Sequence, residues 1–592
     1  MNLHENFKKR VIGYLLLVAG VINGFGQSSL SVNVGSAKAP INNEIFGGLV
    51  ERGLGSIEKG IFVGSNSSVA NTMGIRDDII EGFKECGFGA MQWPGGCAAN
   101  GYDWYRGLNA NDMNTDVFME FCRLTECEPV ITFRAQSAYA SDNKDWVDYV
   151  NRDSKHPGRY CKYWQLGNEV WGCGGDYGSW SAYKPNYEAT YNALRAVPDN
   201  ANLGLIAGTD GIWRYQEWLR QMLQDNVNHI EIIEIHDYIY FPDGSEKINH
   251  LNFTEAQYWD IMNRANESQM KSRLDGIISI LDQYDPEGRI KIWEGEWGNW
   301  LDNTQDAWLQ VGTLMDALSA GESLNLFIKY ANRMMGAGLA QVVNVIHSIM
   351  NTQSLNGPLV KTPTFYVFKM YIPHHRDSAK SAQFTLNSER VNNMPAVSAA
   401  ASVNKNGFVN VSLTNIDLKA NRTVNLTLTN TPANVTYDIT KAQVVTGPKM
   451  NSYNDYNKDP LVAMKDLPAS SYQKTGDLTF SVTLPPMSIA MVQIERDPSG
   501  IKFGEAATQK NVGKSFSVLP EQGKIRITST LDRQIPVTVS VYGVDGKNLI
   551  STEKFSAGNG SYLMKNRLGK GIYLAKITGE NIELQQKVVV VH

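Results

Sequence analysis

Between Asn43 and about Tyr366 the chain alternates short apolar or β-branched runs with longer amphipathic stretches. The runs are EIFGGLVE from Glu44, FGAMQWPGG from Phe88, EPVITFRA from Glu128, KYWQLGNE from Lys162, NLGLIAGTD from Asn202, IEIIEIHDY from Ile230, RIKIWEGEW from Arg289 and LAQVVNVIHS from Leu339. Near-continuous apolar strands of this kind are buried on both faces, as in parallel sheets covered by helices. Between them NTDVFMEFCRL (114–124) and NYEATYNALRAV (186–197) carry apolar residues at helical spacing. Eight strand–helix units predict an α/β fold, a (β/α)8 TIM barrel over residues 43–372. The alternative is a doubly wound open sheet, which calls for a Gly-rich phosphate turn after its first strand. GGLVERGLG (47–55) lacks the G-x-G-x-x-G spacing of that turn.

After Pro373 the pattern changes. GFVNVSLTNID (407–417), RTVNLTLTN (422–430) and IAMVQIER (489–496) alternate apolar and polar residues with no helix between them. This predicts an antiparallel β-sandwich over 373–497. Residues 498–512 read as a linker, and 513–592 as a small all-β module whose Asp545-Gly546 marks a hairpin. PHHR (373–376) has the residue types of a metal cluster, but adjacent imidazoles without a carboxylate partner read as a surface loop.

Composition adds compartment. Lys8-Lys9-Arg10, an apolar stretch from Val11 to Ala19, and small residues before Gln27 predict a signal peptide over 1–26, too short for a stable membrane span. A formal net charge of −5 gives no reason to expect nucleic acid as a partner. The 13 Trp and 26 Tyr suit sugar rings, but large barrels use the same residues for packing. Six cysteines, Cys86, Cys97, Cys122, Cys127, Cys161 and Cys173, lack the paired spacing of a zinc site and read mainly as buried thiols. No metal and no cofactor is implied.

Barrel enzymes place reacting groups at the carboxyl ends of their strands. Polar residues at those ends are Glu51 (first strand), Cys97 (second), Asn168 and Glu169 (fourth), His236 and Tyr238 (sixth), Glu294 and Glu296 (seventh), and Gln341 and Asn344 (eighth). Carboxylates ending the fourth and seventh strands suit glycoside hydrolysis, in which one acid protonates the leaving oxygen and one carboxylate meets the anomeric carbon. Apolar neighbours and the other carboxylate's charge would keep the acid protonated. Glu294 shares a strand face with Glu296 by the period-two rule, so spacing alone leaves the attacking group open between them.

The ordered series IFGGLVERGLG (45–55), WPGGCAANGYDW (93–104), LGNEVWG (166–172), IHDY (235–238), GEWGNW (295–300) and LAQVVNVI (339–346) resembles the α-L-arabinofuranosidases of glycoside hydrolase family 51. The resemblance covers roughly residues 30–497 and implies roles. Glu169 would be the general acid/base and Glu296 the nucleophile of a retaining hydrolase. Asn168 and Glu51 would contact sugar hydroxyls, Tyr238 would orient the nucleophile, His236 would support the acid, and Gln341 would bind the furanose. Residues 27–42 would carry a strand, SSLSVNV, that joins the sandwich. The substrate would be an arabinose-containing plant polysaccharide or oligosaccharide, and assembly into a homo-oligomer is an expectation of the same resemblance.

The chain departs from the family at Arg52, usually His, and at Gly295, where the nucleophile motif often reads D-E-W. It departs again at Arg134, where small or amide residues are usual, and at Cys97, where some members have an Asn on the sugar. With Cys97 and Cys173 both at the implied mouth, they are the pair to examine for a disulfide. The last module resembles a type IX secretion sorting domain, with VYGVDGKNLI and LGKGIYLAKITG (568–579) before a terminal strand. A sugar-binding sandwich is its alternative, but the module has no Trp. With the signal peptide, a sorting domain implies the type IX machinery as partner and the outside of a gram-negative bacterium as location. Rival functions are an endo-β-1,4-glucanase of the same family and a non-catalytic surface glycan-binding protein.

Overall fold

The computed structural model describes residues 27–209, 215–240, 247–302, 310–433, 435–496, 516–543, 548–579 and 582–590. The expected signal peptide, the linker and the Asp545-Gly546 turn lie outside them. The chain forms two units, Met1–Thr431 with Ile439–Glu495, and Pro432–Asp438 with Arg496–His592.

In the first unit eight parallel strands close into a barrel in chain order. They are β1 (Gly47–Leu49), β2 (Ala90–Trp93), β3 (Glu128–Phe133), β4 (Tyr163–Leu166), β5 (Gly204–Gly208), β6 (Ile232–Tyr240), β7 (Lys291–Asn299) and β8 (Met334–Ala340). Their outward residues join the helices in one large apolar core. A separate cluster of Ala90, Val130, Tyr163, Ile206, Ile232 and Trp293 packs among the strands themselves. Gly336 leaves the space that Trp293 fills, since a Cβ there would lie 2.5 Å from the indole. Among the described residues seven tryptophans are fully buried, so most of the Trp content there is packing.

Two predicted strands take up only part of their apolar runs. Asn43–Phe46 is a 3-10 turn that leaves only Gly47–Leu49 for β1. The eighth strand finishes at Ala340, and the rest of the run from Gln341 folds into a buried turn with Asn344 and Ile346 at positive φ. Gln341, Val343 and Val345 bond within that turn, so a strand-like composition there reflects burial.

The sandwich has a five-stranded and a seven-stranded sheet. Ser28–Asn33 lies between Phe384–Asn387, antiparallel, and Arg422–Thr429, parallel. Ala39–Pro40 pairs in the other sheet with Lys380–Ser381, so the segment after residue 27 belongs to both. Helix Leu314–Lys329 is buried along nearly its whole length. Gly321 brings it against Thr414 and Ile489, and Asn325 bonds to Ser398, Ser412 and Tyr371. The C-terminal unit is a second all-β body. It has a three-stranded sheet and a four-stranded sheet ending in Ile582–Val590, around Val518, Ile527, Val539, Val541 and Ile577.

The PHHR loop is buried, contrary to the surface-loop reading. His374 bridges Ser402 and Ser412 at 2.9 Å each, and His375 stacks on Phe46 and bonds to Asn43. These imidazoles fasten barrel to sandwich. Burial pushes each down to about 3. Below the unfolded value near 6.5 the unfolded chain therefore takes protons that the fold refuses. Stability is full above pH 6.5 and falls as pH drops toward 3. We expect His374→Gln, which can still bridge two hydroxyls, to flatten this slope. The loss in unfolding free energy between pH 6.5 and 4.5 should shrink by roughly 2 kcal/mol, read from urea titrations by Trp fluorescence. The terminal module carries no Trp, so that signal reports this unit alone.

Candidate active site

The loop after β4 turns at Gly167, with φ +75°, and at Glu169, with φ +44°. Left-handed backbone at a non-glycine costs about 1–3 kcal/mol and persists where surroundings over-determine it. Here they do. Val170 is fully buried in the space that Gly208 leaves, and Tyr183 donates to the Leu166 carbonyl at 2.8 Å. The Glu169 carbonyl accepts from the N–H groups of Gly172 and Gly174. Cys97 and Cys173 are joined by a disulfide that ties this loop to the one after β2. Their sulfurs lie 4.0 and 3.8 Å from Glu169 Oε2. With Val170 fixed inward, the Glu169 side chain is left 27% exposed at the barrel mouth.

Strand β6 presents Ile232, Glu234, His236 and Tyr238 at period two, apolar at the bottom and polar toward the mouth. His236 Nδ1 lies 3.1 Å from Glu169 Oε1 and 3.6 Å from Glu296 Oε2, and Nε2 lies 2.8 Å from Glu234 Oε1. The Tyr238 hydroxyl donates to Glu296 Oε2 at 2.5 Å. One oxygen each of Glu169 and Glu296 and a His236 nitrogen all lie within 4.8 Å of one another. Glu294 is elsewhere. A bulge at Gly295 puts Glu294 beside Ile235 and Glu296 beside His236, so the two acids face opposite sides of β7. Glu294 is buried with neither oxygen hydrogen-bonded, and burial and then Asp237 raise it well above the carboxylate range.

Across the mouth Glu51 accepts from the Ala98 N–H at 3.1 Å and from Gln341 Nε2 at 3.1 Å. Gln341 Oε1 accepts in turn from the Glu51 N–H and from Ser56 Oγ. The Glu51 carboxylate lies over Gly96, where a Cβ would sit 2.0 Å from it, so the second glycine of WPGGC is a seat for the acid. Asn168 is 1% exposed and neither atom of its side-chain amide has a partner. Such a group asks for a bound polar ligand.

Burial dominates the electrostatics. It pushes Glu296 up to about 7, with His236 opposing and Glu169 assisting. Burial and then the Glu296 charge raise Glu51 to about 8. Burial would lower His236, but Glu296, Glu234 and the hydrogen bonds from Glu169 and Glu234 raise it well above an ordinary histidine. The ring is therefore a cation that donates from both nitrogens, which suits it to carboxylates and not to a metal. The other cluster of ligand-type atoms, Cys97, Glu169 and Cys173, has its sulfurs in the disulfide.

Of the remaining candidates, Asn344 bonds to Thr352 and closes the turn after β8. Arg52 pairs with Asp112, and Arg134 pairs with Asp142 and covers Tyr139. Glu234 was not singled out by the sequence, although alternating polar residues on one face of an otherwise apolar strand were its signal. Trp171, edge-on to His236, and Trp300, edge-on to Tyr238, were missed for want of any distinguishing spacing.

Residues 295–488 match the α-L-arabinofuranosidase C-terminal domain, which begins one residue before Glu296. A Bacteroides ovatus intracellular exo-α-L-arabinofuranosidase is 29% identical over 531 residues, covering 82% of this chain and 99% of that protein. The crystal structure of a family 51 arabinofuranosidase from Xanthomonas axonopodis pv. citri superposes with a TM-score of 0.71 at 25% identity, over 79% of this chain and all of that one. In sequence and in fold the chain resembles the arabinofuranosidases of glycoside hydrolase family 51. A family 44 xyloglucanase from Paenibacillus polymyxa, at 12% identity and a TM-score of 0.51, shares only the fold. Residues 519–591 match a secretion system C-terminal sorting domain, so the terminal module reads as an address and not as a sugar binder. No helix among the described residues is long and apolar enough to cross a membrane.

The Gly96 seat makes a prediction for this glycoside hydrolase. Gly96→Ala should lower kcat/KM at least about tenfold, the equivalent of 1.4 kcal/mol of transition-state binding, by displacing Glu51. Unfolding should shift by about 1–3 kcal/mol, because Gly96 lies at φ +49° and ψ −158°, backbone that a side chain rarely adopts. Glycosidase kinetics beside a thermal melt check both.

Proposed function

We propose that the protein releases terminal α-L-arabinofuranosyl units from plant polysaccharides or oligosaccharides by double displacement. The observation that carries this reading is the close approach of Glu169 and Glu296 across His236, with carboxylate oxygens within 4.8 Å. Retaining glycosidases hold their carboxyl groups about 5–5.5 Å apart, and inverting ones roughly 6.5–9.5 Å apart to admit a water.

In the proposed cycle Glu296, the more buried of the two, attacks the anomeric carbon while Glu169 protonates the leaving oxygen. The bond to the aglycone breaks and a glycosyl ester forms on Glu296. Glu169 then takes a proton from water, which displaces the ester. Tyr238 orients the nucleophile, and His236 holds a positive charge between the two acids. Asn168, with its free amide, and Glu51 receive sugar hydroxyls. Gln341 acts on the furanose through Glu51, since its amide is bonded there. The sorting domain supports export, and with the expected signal peptide we place the enzyme outside a gram-negative cell, delivered by the type IX machinery.

The test is turnover on 4-nitrophenyl α-L-arabinofuranoside and on a soluble β-1,4-glucan, beside Glu296→Gln. We expect nitrophenol release that falls at least about 10³-fold in the variant, with the glucan untouched. Shortening of the glucan without nitrophenol release would make the enzyme an endo-glucanase on the same carboxylates. Binding without turnover of either substrate would favour a glycan-binding protein.

A further inference from the structure

Glu234 is 0% exposed, sits one strand pleat below His236, and has no role in the cycle above. An ionised carboxylate at that depth costs several kcal/mol unless it is paired. Its carboxylate is hydrogen-bonded to His236 Nε2 at 2.8 Å, and the Gln165 amide also faces it. The neighbouring strand is shaped around the pair. A Cβ on Gly295 would lie 2.7 Å from Glu234 Oε1 and 2.9 Å from His236 Nε2, and the bulge at that glycine is what brings Glu296 beside the ring. Three features of the two strands thus converge on one buried contact: the Glu-x-His spacing, the glycine before the nucleophile, and the bulge.

We infer that Glu234 is a positioning residue for the acid step: by accepting the Nε2 proton of His236 it fixes the ring with Nδ1–H aimed at Glu169. Glu169 becomes an anion as it gives its proton to the leaving oxygen. The Nδ1–H, 3.1 Å from Glu169 Oε1, is the donor that meets this new charge. A base that orients its histidine partner through the far nitrogen acts in this way in hydrolytic triads. Charged and titratable groups facing His236 are Glu234 on its own strand, Glu169 on the loop after β4 and Glu296 on β7, and Arg273 donates to its backbone carbonyl. Trp171 covers the ring edge. Removing Glu234 leaves Nε2 with no other hydrogen-bond partner among the described residues.

The inference rests on Glu169 being the acid, and its test separates the two. Values of kcat/KM report the first irreversible step, so they isolate glycosyl transfer to the enzyme. They are measured for Glu234→Gln on 4-nitrophenyl α-L-arabinofuranoside, whose leaving group needs little protonation, and on an arabino-oligosaccharide, whose leaving group needs it fully. Glu169→Ala is the reference. We expect Glu234→Gln to lose at least about tenfold on the oligosaccharide and less than about threefold on the nitrophenyl substrate, part of the 10²–10⁴ that general acids supply. Glu234→Asp, which keeps the charge but draws the carboxylate back from Nε2 by one methylene, should show the same selective loss, and it carries the test if the first variant does not fold. An equal loss on both substrates, or none on either, would overturn the inference and leave Glu234 a structural group. If Glu169→Ala itself discriminates between neither leaving group, the acid assignment falls and the inference falls with it.

Discussion

One positive charge lets the barrel mouth exist. Glu51, Glu169, Glu234 and Glu296 converge there, three of them buried, and mutual repulsion with desolvation would protonate or disperse them. His236 stands among three of them, with a nitrogen 2.8 to 3.6 Å from each. Its cation keeps Glu296 from rising beyond about 7 and gives Glu169 a partner. Glu51, farther around the mouth, is handled differently: a backbone N–H and the Gln341 amide hold it, and it rises to about 8. The mouth therefore holds its carboxyl groups by two means, a shared cation on one side and neutral donors on the other.

Much of the remaining architecture serves to place these groups without slack. Glycines supply closeness: Gly96 seats Glu51, Gly208 admits Val170 so that Glu169 is turned to the mouth, and Gly295 clears the Glu234–His236 contact. The disulfide spans 76 residues of chain and ties the loops after β2 and β4 beside the acid. Farther out, the barrel is fastened to the sandwich through polar contacts at full burial, with Asn325, Glu322 and His374 all satisfied by hydroxyls or amides. Buried networks of this kind tolerate little displacement, because each lost bond leaves a desolvated group.

The barrel, its strand order and the two carboxylates were legible because apolar runs report burial and the acids terminate those runs. The same signal misled where burial occurs without a strand. Val342, Val343 and Val345 are fully buried in a turn, and a run beginning at Leu339 reads as strand although β8 has nearly finished there. Glu294 and Glu296 looked equivalent because period two assumes an unbroken ladder, and no local composition announces the bulge at Gly295. Glu234 was invisible as chemistry because its partner stands two residues away on the same strand and its depth is a property of the closed barrel. The histidines of PHHR were misplaced for the opposite reason, since polar residues read as exposed when their partners, Ser402 and Ser412, come from a distant sheet.

If Glu169 and Glu296 work as a retaining pair, the first product keeps the anomeric configuration of the substrate. Proton NMR of an arabinofuranoside digest, recorded before mutarotation, should show arabinose released first in the α configuration of the substrate. A first product in the β configuration would mean that water attacks in a single step, and would contradict the close carboxylate geometry on which the account stands.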